Sequence, residues 1–172
     1  MTPSSIRPYA PTDRQDVIAL LLELNRHEAQ VGAPRRTDRA GAEACLADDT
    51  EKCALGGGQA VLEVERAVIG YLAYFWPKSA PYLPKSDRPI LHIENIVVAG
   101  SNRRRGYGRM LLAHADAVAL AGNARAITLA AVVNNALALG AYRAAGYSPV
   151  SYEMVTRPLP RSRISRPFSR RT

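Results

Sequence analysis

The sequence predicts an α/β domain with a mixed, mostly antiparallel central sheet, flanking helices and a parallel βαβ unit. Two runs rich in β-forming residues, 59–65 and 67–75, lie close enough together to form a hairpin. The stretch 126–133 is apolar throughout, which is typical of a parallel strand covered on both faces. A helical pattern over 109–121 separates this stretch from the strand predicted at 90–98, and the three together form the βαβ unit.

The amino-terminal third is predicted to contain a short strand and two helices. Thr12 or Asp13 can cap the first helix, because apolar residues follow at helical spacing as far as Leu24. The polar stretch that follows contains Gly32 and Pro34 and is interpreted as a loop. The expected elements are a strand at 5–9, a helix from about 13 to 24, a loop at 25–39 and a second helix at 39–47.

The remaining connections and elements are also predicted from local composition. Glu65 and Arg66 suit the turn of the hairpin, whereas the four prolines of 76–89 exclude regular structure and predict a long loop. This loop and the segment 25–39 are expected to frame the acceptor site. A helix is expected at 135–145, followed by a last strand at about 150–156.

Length, cysteine content and charge limit the class of protein. The 172 residues suit one domain, which we place at 1–158, and the two cysteines have no zinc-ligand spacing, so we expect no metal. Without an apolar leader or a membrane-spanning run, a cytoplasmic protein is predicted. The net charge of +8 comes mostly from six arginines after residue 156, so 159–172 is interpreted as a basic, disordered tail. Its single aromatic residue argues against nucleic-acid binding.

A basic, glycine-containing segment between the predicted strand and helix has the pattern R-x-x-G-x-G. Gly106 and Gly108 allow backbone N–H groups to converge on an anion, and the following helix adds the positive end of its dipole. The pattern lacks the Gly-Lys-Ser/Thr of a P-loop and the G-x-G-x-x-G of a dinucleotide site. The predicted phosphate-binding residues are Arg103, Arg104, Arg105, Gly106, Tyr107, Gly108 and Arg109.

Two stretches resemble the motifs of the GCN5-related N-acetyltransferase (GNAT) family. IENIVVAGSNRRRGYGRMLLAHA is similar to the central acetyl-CoA motif, and NNALALGAYRAAGY to the second motif, with Asn135, Ala138, Tyr142, Gly146 and Tyr147 at the family spacing. The resemblance covers about residues 90–156 and implies the GNAT fold, acetyl-CoA as co-substrate and transfer of the acetyl group to an amine.

The resemblance also implies roles for individual residues. The backbone of Ile96, Val97 and Val98 would contact the pantetheine arm, and the arginine-glycine loop would hold the pyrophosphate. Asn135 would contact the cofactor, and Tyr142 would protonate the departing thiolate.

Glu94 is the candidate general base, because an amine must lose a proton before it attacks a thioester. It is a lone acid in an apolar strand, and strand alternation places it on the same face as His92, Ile96 and Val98. Three alternatives remain: Glu94 pairs with a neighbouring arginine and has a structural role, His92 is the base, or an ordered water works without a side-chain base. The following strand has Ala130 where the ribosomal-protein acetyltransferases of the family carry a glutamate, which argues against that close kinship.

The predicted function is therefore N-acetylation of a primary amine, with a small molecule as the acceptor. Acetylation of a protein lysine or N-terminus, and a non-catalytic coenzyme A-binding module, are the alternatives. Family analogy favours a homodimer, and no membrane partner is expected.

Overall fold

The computed structural model describes residues 4–156, which form one five-stranded sheet with helices on both faces. The strands follow one another in the order β1-β2-β3-β4-β5, and all neighbours are antiparallel except the parallel pair β4-β5. The predicted mixed sheet is confirmed, while the basic tail expected at 159–172 lies outside the described residues. The strands are β1 Ser4–Pro8, β2 Gly57–Val64, β3 Ala67–Phe75, β4 Ile90–Val98 and β5 Ala126–Leu129. The helices are α1 Arg14–Gln30, α2 Arg39–Ala54, α3 Tyr107–Ala121 and α4 Ala136–Ala144.

Two apolar clusters, one on each face of the sheet, form the core. The first lies between the sheet and the helix pair α1-α2, and Val17, Leu21 and Tyr71 are fully buried in it. The second lies between the sheet and α3, around Leu72 and Leu111. Burial of this apolar surface from both sides stabilises the three-layer arrangement. No helix within residues 4–156 is long and apolar enough to cross a membrane.

A β-bulge interrupts β4 at Glu94. Ala73 of β3 pairs with Asn95, and the next residue, Tyr74, pairs with Ile93, so Glu94 is the extra residue of the bulge. The bulge changes which face the following side chains occupy.

Side chains before and after the bulge confirm this change of face. In a regular strand Leu91, Ile93 and Val97 would share one face, because they are separated by even numbers of residues. Leu91 and Ile93 pack in the α3 cluster, whereas Val97 packs in the α1-α2 cluster. The predicted common face of Glu94 with Ile96 and Val98 is therefore wrong: those two side chains contact the α3 cluster, while Glu94 faces α2. Strand alternation fails here because the inserted residue shifts the pleat by one position.

The first two helices are longer than predicted. The helix expected to end at Leu24 continues to Gln30, and the second continues to Ala54. Asn25 is 3% exposed, and His27 and Glu28 line a cleft, so this part of α1 faces the protein rather than solvent. Their polarity reflects the site that α1 borders rather than a break in the helix.

The carboxyl-terminal strands are shorter than predicted. β5 pairs with β4 only from Ala126 to Leu129, opposite Ile90 to Ile93, and the pairing stops at the residue before the bulge. The strand expected at 150–156 is wrong, since these residues form no ladder. Val150 is 90% and Val155 92% exposed. No neighbouring strand pairs with the backbone N–H and C=O groups of this segment.

Candidate active site

A cleft with a cavity volume of about 430 Å³ opens where β4 and the residues after β5 separate. One wall is formed by 93–98 of β4, and the other by 129–132 and α4. The structure brings most of the predicted site residues together in this cleft. They are Glu94, Ile96, Val97, Val98, Arg103, Arg104, Gly106, Gly108, Arg109, Asn135 and Tyr142. Two others, Arg105 and Tyr107, are not among the lining residues; Arg105 is exposed, and Tyr107 packs against the α3 cluster.

The arginine-glycine loop leads directly into α3 at one end of the cleft. Gly106 is the N-cap residue and has φ 86°, a left-handed conformation that favours glycine. A Cβ atom built on Gly108 would meet no atom within 4 Å, so the backbone here faces open space. The first turn of α3 consequently presents its unpaired N–H groups to the cleft, a geometry suited to a phosphate.

The arginines around this loop have different environments. Arg103 donates to Glu23 Oε1 at 2.7 Å and to the carbonyl oxygen of Val98 at 3.0 Å, so its guanidinium joins the loop to α1 and β4. Within residues 4–156, Arg104 and Arg109 form no ion pair, and both line the cleft. Their charges are therefore available to an anionic ligand, whereas that of Arg103 is already partly neutralised.

Asn135 and Tyr142 lie on the α4 side of the cleft. The Asn135 side chain caps α4 by accepting from the Ala138 N–H at 3.1 Å, and its Oδ1 also lies 3.4 Å from His27 Nε2. Burial is the main cause that raises the pKa of Tyr142 to about 12, and electrostatic interactions with Glu28 and Tyr147 add to the rise. The Tyr142 hydroxyl therefore keeps its proton at neutral pH.

Glu94 contacts two basic side chains. Lys52 Nζ of α2 lies 2.7 Å from Glu94 Oε1, and His92 Nε2 lies 3.7 Å from Glu94 Oε2. His92 Nδ1 lies 2.9 Å from Thr128 Oγ1, and burial lowers the pKa of His92, which favours its neutral form. Glu94 lines the cleft, as a base there must, and its ion-pair partner is Lys52 rather than the arginine expected from the sequence.

Three carboxylates meet beside Lys52. Oxygen atoms of Asp48, Asp49 and Glu94 lie within 4.8 Å of one another, a grouping that could hold a cation. The ammonium of Lys52 lies 2.7 Å from both Asp48 and Glu94 and already supplies a positive charge there. Although burial opposes it, hydrogen bonding to these two carboxylates raises the pKa of Lys52.

The segment 25–39, predicted to frame the acceptor site as a loop, contributes His27 and Glu28 to the cleft from within α1, whereas no residue of 76–89 lines it. Sequence analysis did not predict that Leu24 lines the cleft or that Lys52 contacts Glu94. The available signal was the polar stretch beginning at Asn25, which continues the helical period set by Val17 to Leu24 and could have been interpreted as a helix facing a polar cavity.

Comparisons with known proteins agree with this fold. Among solved structures, the aminoglycoside N-acetyltransferase AAC(6')-Iy in complex with CoA is 18% identical, with a TM-score of 0.67 over 92% of this chain and 96% of that chain. A mutant of the BH1408 protein from Bacillus halodurans is 20% identical, with a TM-score of 0.75 over 90% of this chain and 99% of that chain. The enzyme AAC(6')-IG from Acinetobacter haemolyticus is 17% identical, with a TM-score of 0.66 over 90% and 98% of the two chains.

At these identities, the structural likenesses establish the fold alone. A search of curated proteins found no significant match. A family model, described as the acetyltransferase (GNAT) family, matches residues 18–147. This is most of the chain and includes most of α1, the bulged strand, the arginine-glycine loop and α4. The chain therefore belongs to the GNAT family and is an N-acetyltransferase.

Proposed function

We propose that this enzyme transfers the acetyl group of acetyl-CoA directly to the primary amine of a small molecule. The observation that carries the proposal is that a potential base, Glu94, and a protonated hydroxyl, Tyr142, line the same cleft as the arginine-glycine loop. Aminoglycoside N-acetyltransferases among the structural neighbours support a small-molecule acceptor.

In this proposal, the chain's own residues bind the co-substrate along the cleft. Arg104, Arg109 and the N–H groups at the start of α3 hold the pyrophosphate. The backbone of 96–98 orients the pantetheine arm, and Asn135 contacts it from the opposite wall. The thioester supplies the reactive carbonyl, which would lie between the bulge of β4 and α4.

Two side chains then handle protons at opposite ends of the reaction. Glu94 accepts a proton from the incoming ammonium, which frees the nitrogen lone pair for attack on the carbonyl carbon. As the new C–N bond forms and the C–S bond breaks, the Tyr142 hydroxyl donates to the sulfur. The nitrogen then loses its second proton, which restores the Tyr142 hydroxyl, and the products are an amide and the free thiol of coenzyme A.

A panel of amines distinguishes the acceptor classes. We would measure release of free thiol from acetyl-CoA with neamine, spermidine and a lysine-containing peptide, each at pH 7.5. Turnover of neamine or spermidine in preference to the peptide is the expected result. Preference for the peptide would contradict the small-molecule acceptor, and absence of turnover with all three would contradict acetyl transfer to these amine classes.

Replacing Glu94 tests the assignment of the base. We expect Glu94→Gln to lower kcat by about 100-fold, within the range for loss of an acid–base group, while acetyl-CoA still binds. Full activity in this variant would show that the base lies elsewhere, and His92→Gln would then be measured in the same assay.

A further inference from the structure

Asp49 is a fully buried carboxylate that the proposed reaction does not use. It lies on α2 with 0% of its surface exposed, and both of its oxygens accept hydrogen bonds. The Tyr71 hydroxyl of β3 donates to Oδ2 at 2.9 Å, and Asn95 Nδ2 of β4 donates to Oδ1 at 2.7 Å. Gln59 in turn donates to the Tyr71 hydroxyl at 3.0 Å. The side chain therefore joins α2 to the two strands that form the bulge.

Stability alone does not explain a carboxylate at this position. Within residues 4–156, no lysine, arginine or histidine forms an ion pair with Asp49. A buried charge without a directly bonded cation weakens the folded state, even when it accepts hydrogen bonds. A neutral side chain of similar shape would not carry this penalty.

The partner of Asp49 on β4 is the residue next to Glu94. Because Glu94 is the extra residue of the bulge, Asn95 points to the same side of the sheet as Glu94, towards α2. In a regular strand the two side chains would point to opposite faces. The hydrogen bond from Asn95 to Asp49 therefore holds β4 in the bulged conformation.

We propose that Asp49 is a positioning residue for acetyl transfer, which fixes Glu94 at the bulge by holding Asn95. This inference rests on the function proposed above for Glu94. Lys52 holds the Glu94 carboxylate from one side, and the pair Asp49-Asn95 fixes the backbone that carries it. Asp49 itself does not contact the substrate, because it is fully buried behind the strand.

A double-mutant cycle with Glu94 separates this role from a general contribution to the fold. We would measure kcat and the acetyl-CoA dissociation constant for wild type, Asp49→Ala, Glu94→Gln and the double mutant, with the panel amine that turns over fastest. Asp49→Ala removes the oxygen that accepts from Asn95, so it is expected to lower kcat by about 10-fold and to leave acetyl-CoA affinity within about threefold. In the Glu94→Gln background, the same change is expected to cost less than about twofold, because residues that act through one another are not additive.

Tyr71→Phe is the matched control. It removes the other hydrogen bond to Asp49 and leaves the bond from Asn95, so it perturbs the same buried network without releasing the bulge. We expect kcat within about twofold of wild type below the melting temperature. An equal loss in Tyr71→Phe, or an equal cost of Asp49→Ala in both Glu94 backgrounds, would overturn the inference.

The outcomes also separate this inference from the proposed function. If Glu94→Gln is fully active, the assignment of the base fails, and the role of Asp49 fails with it. If Glu94→Gln is impaired and the two effects simply add, only the role of Asp49 fails. Should Asp49→Ala not fold, Asn95→Ala removes the same bond from the strand side, and the same cycle applies to it with the same criteria.

Discussion

Replacing Asp49 by asparagine is expected to change how the stability of the enzyme depends on pH. Burial raises the pKa of Asp49 from its ordinary 3.8 to about 6, against the opposing effect of hydrogen bonds from Asn95 and Tyr71, and the negative charges of Glu94 and Asp48 add to the rise. The folded protein therefore binds this proton more tightly than the unfolded chain. The resulting stabilisation is fully present below pH 3.8 and is lost as the pH rises through about 6.

The size of the effect follows from the displacement of the pKa. At about 1.4 kcal/mol for each pH unit, a rise from 3.8 to about 6 corresponds to about 3 kcal/mol in total. About 2 kcal/mol of this difference develops between pH 4.5 and pH 7.5. Asparagine carries no charge at either pH, so the stability of the variant relative to wild type is expected to improve by that amount over the interval.

Urea unfolding of both proteins at pH 4.5 and pH 7.5 measures this difference, because contributions of the other titrating groups cancel between them. Leu46→Val, a cavity-forming change on the same helix that alters no ionisable group, is the control and is expected to cost the same at both pH values. A relative stability of Asp49→Asn that is flat with pH would refute the reasoning. A relative stability that falls with rising pH would show that the hydrogen bonds outweigh burial and hold Asp49 ionised.

Three further substitutions test the phosphate end of the cleft and its α4 wall. Gly108→Glu would place a side chain and a negative charge in the open space at the start of α3, so calorimetry is expected to detect no coenzyme A binding. The control is Gly140→Glu, at an open position in α4 that does not line the cleft, and this variant is expected to bind coenzyme A normally. Tyr142→Phe is expected to lower kcat by about 10-fold or more with little change in acetyl-CoA affinity, and unchanged turnover would remove the proposed proton donor. Asn135→Ala is expected to lower the free energy of unfolding by about 1 kcal/mol through loss of the α4 cap, and a Kd for coenzyme A that stays unchanged would contradict its cofactor contact.

The sequence correctly predicted those elements that depend on interactions between residues close together in the chain. The bounds of β3 and β4 agree with the run of β-forming residues, and Glu65 and Arg66, with φ of 51° and 66°, form the expected hairpin turn. Asn135 is the N-cap because its side chain competes for the backbone N–H groups of the helix start. In each case the decisive interactions lie within a few residues along the chain.

Signals that depend on distant partners were misleading. Polarity from Asn25 onwards predicted a loop, although the cleft on that side of α1 accepts polar side chains within a helix. The apolar run beyond Leu129 predicted a longer strand, although its neighbour β4 has already left the ladder at the bulge. The stretch 150–156 likewise forms no ladder, because strand-like composition does not by itself pair a segment with the open edge of β5.

The bulge itself is invisible in the pattern of hydrophobic residues. Buried and half-buried positions alternate without interruption along β4, so the sequence is compatible with a regular strand. Only the pairing of β4 with Ala73 and Tyr74 of β3 reveals that Glu94 has been inserted and that the later side chains have exchanged faces. Because of that insertion, Glu94 and Asn95 both face α2. Lys52 of α2 contacts Glu94, and Asp49 of α2 accepts a hydrogen bond from Asn95. The chemistry predicted for Glu94 thus depends on a backbone irregularity that is set by tertiary pairing, and a helix distant in sequence supplies the side chains that hold it.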